Sequence, residues 1–181
     1  MGWLYRFSGL KEVILELTEN PDSKLKLIIV GEGDAYEELR KLIETHRLQG
    51  KVILTSKKAY EEIPELIAAA DVCLLPAYPD EPIMQDIVPI KMYEYMAIAK
   101  PVITTRLPGV MKEFGEGNGV VYVTRPEEVV NRALELVRTG QARELGRKAS
   151  QFVEKNSWDK ITDEFEQILK EATTEKESQD P

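Results

Sequence analysis

Short apolar runs of strand character alternate with amphipathic helical segments along this chain, and that alternation restricts the fold more than any other feature. The runs are Gly2-Trp3-Leu4-Tyr5, Leu25 to Val30, Lys51 to Thr55, Val72 to Leu75, Pro101 to Thr104 and Val120 to Val123. Between them apolar residues recur at helical spacing, as at 10, 13, 14 and 17, or at Tyr36, Leu39, Leu42 and Ile43. Such alternation predicts a parallel sheet of about six strands with helices on both faces, a three-layer α/β/α sandwich. Sheets of this kind bind ligands in the crevice beyond the carboxyl ends of their strands. The loops at 5–9, 31–34, 56–60, 76–89 and 104–110 are therefore where function should lie.

The helices have readable boundaries. Asn20-Pro21-Asp22 ends the first. Asp34 is a candidate N-cap for the second, with Glu37 completing a capping box. Pro64 sits early in a helix over Glu61 to Ala70, where its missing N–H costs little. A short helix over Ile90 to Ile98 precedes the strand at Pro101, and 108–119 reads as loop with one short turn. Helices over Glu127 to Val137 and Gln141 to Lys155 follow. A last helix over 157–172 starts at the N-cap candidate Ser157 and is expected to bury Trp158, Ile161, Phe165, Ile168 and Leu169. Residues 1–172 are read as one domain and 173–181 as a polar tail.

Composition removes several function classes. A net charge of −8 over 181 residues offers no general basic field for nucleic acid. The single cysteine, Cys73, lies in an apolar run, excludes an internal disulfide and fits a reducing compartment. No apolar segment reaches the roughly 18–20 residues of a membrane span. One histidine, His46, and one cysteine cannot build a zinc shell, so no metal is expected. No Ser/His/Asp or Cys/His set is available for nucleophilic catalysis. A GxGxxG after the first strand is absent, which argues against an NAD enzyme.

What remains is concentrated in DIVPIKMYEYMAIAKPVIT, residues 86–104. Asp86 leads through Pro89 into a helix carrying Lys91 and Glu94. A carboxylate such as Glu94 can accept two hydrogen bonds from a vicinal diol, a ribose for example. Free N–H groups from Val88 to Lys91, with the Lys91 charge, suit a phosphate, and Asp86 can reach hydroxyls beyond it. Gly31 and Gly33 permit close backbone approach after the second strand. Ser56-Lys57-Lys58 follow the third. Each also has a plain reading: an ordinary decorated helix start, a tight βα turn, a solvated turn.

Four stretches together resemble the C-terminal, donor-binding half of GT-B glycosyltransferases of the retaining family 4: LKLIIVGEGDAYEEL, KVILTSKKAYEEIPELIAAADVCLLPA, IVPIKMYEYMAIAKPVITT and NSWDKITDEFEQIL. The resemblance implies a Rossmann-like domain, one half of a GT-B fold. It places Glu94 at the second glutamate of the E-x7-E signature, on the donor's ribose hydroxyls, and Asp86 at the first acidic position, on the donor sugar. Lys91 and Glu94 match a P-x-K-x-x-E-Y variant. The backbone of Ile87, Val88, Pro89 and Ile90 would hold the diphosphate, and Ser56, Lys57 and Lys58 would lie near the base. Two departures stand out. Asp86 is shorter than the usual glutamate, and Trp3 and Ser8 occupy the places of an Arg and a Lys that bind the diphosphate. Arg6 and Lys91 are the candidate substitutes.

The resemblance further implies an enzyme that moves a hexose, mannose or glucose being the candidates, from a nucleotide diphosphate sugar to a glycan or lipid-linked acceptor. It implies no cofactor and no metal. It also implies an N-terminal GT-B domain of the same parent chain, supplying acceptor site and catalytic histidine, so that no catalytic residue is assigned here and this part alone would be inactive. The expected location is cytoplasmic, with the parent enzyme peripheral at the inner membrane face. A non-catalytic nucleotide-binding or partner-docking module is the competing reading.

Overall fold

The computed structural model describes residues 1–20 and 24–177. Five strands are present: β1 (Leu27–Val30), β2 (Val52–Thr55), β3 (Cys73–Leu75), β4 (Val102–Thr105) and β5 (Val120–Val123). The helices are α1 (Leu10–Glu19), α2 (Tyr36–Thr45), α3 (Ile63–Ala68), α4 (Lys91–Ala97), α5 (Pro108–Phe114), α6 (Val129–Arg138), α7 (Gln141–Val153) and α8 (Trp158–Glu177). All strand pairs are parallel, β1 with β2 and β3 with β4 and β5. The expected α/β class holds.

The expected first strand does not. Residues 2–5 are extended, but Gly2 has φ +108°, outside the strand region. The segment still runs along β1, where Gly2 N–H donates to Val30 O at 2.9 Å and Leu4 N–H to Glu32 O at 2.8 Å. On its other side Trp3 and Leu4 line a cavity with Leu74 and Leu75 of β3. It thus sits between two strand groups that share no ladder, and the described residues hold five strands, in groups of two and three, rather than about six.

Alternation along β4 and β5 separates two cores. Ile103, Val121 and Val123 face one side, where Val13, Ile14 and Leu17 of α1, Leu39 and Ile43 of α2, and Val129 and Ala133 of α6 cover them. Val102 and Val120 face the other, with Cys73 and Leu75, against Met92 and Met96 of α4, Phe114 of α5 and Ala149 of α7. Burial on both faces is why these strands read as continuous apolar runs. Beyond them, Ile28 and Ile53 of β1 and β2 are partly uncovered. Cys73 is a core residue, its thiol pushed up to about 12 by burial, and Met84, Met92 and Met96 fill core gaps.

Several boundaries differ from expectation. Ala35, not Asp34, is the N-cap of α2, and no side chain caps it. Residues 108–114 form a full helix, because Pro108 presets its first turn and Val110 and Phe114 anchor it in the core. Asn20 caps α1, while Pro21 and Asp22 lie outside the described residues. Ser157 does start α8, its Oγ accepting from Lys160 N–H at 3.4 Å. That helix continues through Glu177, past the expected end at 172, and residues 178–181 of the expected tail lie outside the described residues. The apolar side of α8 is not buried: Trp158 is 73% exposed and Phe165 60%, with Ile161, Ile168 and Leu169 also exposed. Its periodicity was read correctly, but nothing among the described residues covers it.

Thr105 closes the carboxyl end of β4. Its buried hydroxyl donates to Ala77 O and ties β4 to the loop after β3. Thr105→Val keeps the shape and strands that carbonyl, so a stability loss of about 1–2 kcal/mol is expected, read as a shift of the denaturant midpoint at unchanged slope.

Candidate functional site

The loops at the carboxyl ends of the strands do converge. After β1, Gly31 and Gly33 take φ of +138° and +150°. A Cβ on Gly31 would overlap the Gly2 carbonyl, and one on Gly33 the Leu4 backbone. These glycines are required for close approach of the N-terminal segment, rather than of a ligand. The next loop joins them: Lys57 N–H donates to Glu32 Oε1 at 3.4 Å. Ser56, Lys57 and Lys58 are exposed, and Lys58 pairs with Glu62 at 3.4 Å.

The loop after β3 is the longest. It runs over Pro76, whose backbone is packed against Gly9, and Tyr78, whose N–H donates to Phe7 O at 3.0 Å. It then turns through Pro82–Met84 to Asp86. Gly109 secures this turn from α5: its N–H donates to Gln85 O at 2.9 Å, and a Cβ there would press on the Asp86 and Ile87 carbonyls. Sequence reasoning missed this contact, because nothing local to Gly109 points to residue 86.

Between the two sides lies a cavity of about 200 Å³. Trp3, Tyr5, Phe7 and Ser8 line one wall, Ile87, Pro89 and Lys91 the other, with Leu75 and Pro76 behind. Four predicted site residues, Ser8, Ile87, Pro89 and Lys91, are thus brought together. Arg6, Asp86, Val88, Ile90 and Glu94 do not line it. Arg6 and Asp86 are exposed at the surface, Ile90 is an exposed N-cap, and Glu94 lies half-buried one turn along α4. A second hollow of about 310 Å³, at Leu17, His46, Arg47 and Lys51, includes residues just before β2 and so lies at the opposite end of that strand. His46 there is the exposed C-cap of α2.

Lys91 carries the side-chain charge that lines the cavity, beside the Met1 α-amine, whose pKa burial and the Lys91 charge lower to about 6. Lys91 has no ion pair or hydrogen bond to another described residue, and burial holds it below the 10.5 of an exposed lysine, the Glu94 carboxylate opposing that shift in part. Its ammonium lies close under Gly2, 3.5 Å from where a Cβ on that glycine would stand. The N–H groups of Val88, Ile90 and Lys91 likewise carry no hydrogen bond among the described residues, while Met92 and Tyr93 N–H already bond Pro89 and Ile90. With seven residues α4 makes about two turns, so the full charge of Lys91 outweighs the partial charges of the helix start. The arrangement offers an anion one half-buried ammonium and unpaired amides, beside a carboxylate able to accept from hydroxyls.

Residues 3–152 match the family model described as glycosyl transferases group 1. This chain belongs to that family. A curated member, an uncharacterized glycosyltransferase of Methanocaldococcus jannaschii, is 24% identical over 176 residues, covering 93% of this chain and 43% of that protein. Among solved structures, Anabaena HepE in complex with UDP superposes with a TM-score of 0.76 at 22% identity, over 96% of this chain and 48% of that one. Sucrose-phosphate synthase from Thermosynechococcus elongatus gives 0.78 at 19% identity, over 96% and 45%. These likenesses establish the fold, a Rossmann-like unit of GT-B type. The chain spans less than half the length of each of these three proteins. Among the described residues, no helix is long and apolar enough to cross a membrane.

Proposed function

We propose that this chain is the donor-binding half of an enzyme that transfers a hexose, with mannose and glucose as the candidates, from a nucleotide diphosphate sugar to a glycan or lipid-linked acceptor. One observation carries the reading: Lys91, half-buried and without a counter-charge bond, lines a cavity at the strand ends on the helix that bears Glu94. In this reading Glu94 accepts from the ribose hydroxyls, and Lys91 with the amides of Val88 and Ile90 holds the diphosphate. Asp86 meets the sugar, and Ser56 to Lys58 border the base. HepE, crystallised with UDP and with UDP-glucose, supports a nucleotide sugar as the ligand class. No metal is invoked, because Lys91 and the amides can stabilise the leaving diphosphate. Its departing oxygen then takes the acceptor's proton. The acceptor site and the remaining chemistry belong to an N-terminal domain, and the uncovered face of α8 is suited to pack against it.

Calorimetric titration of the chain with UDP, GDP and ADP and their sugar esters tests this. Saturable binding of one nucleotide is expected, and silence with all of them sinks the proposal. A non-catalytic nucleotide or docking module is the second reading, favoured by Trp3 and Ser8 at positions where a basic pair is expected. Steady-state transfer by the parent protein separates the two.

The charge of Lys91 gives a pH signature. The folded protein releases this proton at lower pH than the unfolded chain, so below its folded pKa Lys91 costs stability. Stability therefore rises with pH between that value and 10.5. Anion binding needs the charged form and has the opposite sense. Nucleotide affinity is expected to fall as pH climbs through the folded pKa, before an exposed lysine would discharge. Lys91→Met should weaken binding by roughly 10-fold and flatten that pH profile, both read by calorimetry.

A further inference from the structure

The wall of the cavity formed by the N-terminal segment carries aromatic residues at alternate positions. Tyr5 and Phe7 stack with centroids 4.7 Å apart and planes 12° from parallel, and Trp3 leans on Tyr5 at 6.5 Å. All three line the cavity with Lys91, yet Trp3 is 55% exposed and Tyr5 43%. The strip is held rigidly: Leu4 N–H bonds Glu32, Ala35 N–H bonds Leu4 O at 3.0 Å, and Tyr78 N–H bonds Phe7 O. A fixed aromatic surface beside a half-buried ammonium complements a ligand whose apolar ring face adjoins an anionic group. The C–H face of a pyranose esterified with phosphate at its anomeric carbon has that form.

We propose that Trp3 and Tyr5 are the platform for the donor's sugar ring, with its anomeric phosphate at Lys91. This rests on the donor reading above and adds to it where sugar selectivity comes from. The N-terminal loop carries a stacking surface where a basic pair was expected, so it rewards the sugar more than the bare nucleotide. Its contribution is a difference between two ligands of the same site.

The chain has two tryptophans, and Trp158 lies on α8, outside the cavity lining. Trp158→Phe therefore leaves Trp3 as the only indole reporter. Its emission is followed while UDP, GDP, UDP-glucose, UDP-N-acetylglucosamine and GDP-mannose are titrated. One sugar ester should quench Trp3 and bind about two- to tenfold tighter than its own nucleotide. In the otherwise unaltered chain, calorimetry should show that Trp3→Ala removes this ratio and leaves the bare nucleotide within about twofold, while Trp3→Phe keeps it. A nucleotide that binds while none of its sugar esters binds tighter or moves Trp3 emission overturns the platform alone. So does a Trp3→Ala variant that weakens both ligands equally, which marks a structural role. If no nucleotide binds, the donor reading fails and the platform with it.

Discussion

Glu94→Ala is expected to remove calorimetrically detectable binding of the nucleotide, a loss of about 2–3 kcal/mol, or roughly 30- to 150-fold. The size follows from what the carboxylate would do. Two hydrogen bonds from a vicinal diol to one ionised acceptor are charge-assisted, and removing the acceptor leaves both hydroxyls without it. The carboxylate makes no hydrogen bond or ion pair to another described residue, and its interaction with Lys91 is through space only. Alanine is also a better helix former than glutamate. The variant should therefore melt close to the parent, so that lost binding reports the site rather than the fold. Glu94→Gln keeps one acceptor without the charge and should fall between the two. Unchanged affinity in Glu94→Ala would place the ribose elsewhere.

Gly31→Ala is expected to cost about 3 kcal/mol of stability, combining backbone strain with an overpacked contact. At φ +138° an L side chain is strained in any surroundings, and here the added carbon would also overlap the Gly2 carbonyl. Relief requires the N-terminal segment to separate from β1, breaking the bonds from Gly2 to Val30 and from Leu4 to Glu32. Trp3 and Tyr5 ride on that segment, so the cavity wall opens with it. Two readouts should move together: the thermal midpoint, and hydrogen-exchange protection at Leu4 N–H relative to β4. Full protection at Leu4 in the variant would contradict the assigned contact.

Much of the fold was legible because its signals are local. Helix periodicity located α1, α2, α6 and α7 to within a few residues, and β4 and β5 fall within the expected strand runs Pro101 to Thr104 and Val120 to Val123, give or take a residue. The last helix shows where that reasoning stops. Its apolar spacing is correct, yet Phe165 and Ile168 are exposed, because periodicity reports a face and not whether a partner is present. Residues 108–114 show the opposite error, since a stretch expected as loop with one short turn is a helix sustained by burial of Phe114. At the site, Lys91, Ile87, Pro89 and Ser8 were anticipated and meet in one cavity. Glu94 and Asp86 flank it without lining it. In the sequence Trp3 stands out only as the replacement of a basic residue and Tyr5 only as part of an apolar run, although their alternation with Phe7 is a usable sign of one shared face.

By itself the sequence determined the layered parallel architecture, the end of the sheet at which the βα loops gather, and the short list of side chains with suitable chemistry. Each of these follows from short-range constraints: side-chain period, turn residues, and the rule that βα loops gather at one edge. Only the tertiary structure decided that residues 2–5 lie between two strand groups, that Gly31 and Gly109 serve as contact points, and that an aromatic strip faces Lys91. Those outcomes depend on strand order and on how closely backbones distant in sequence can approach, and no local pattern encodes either.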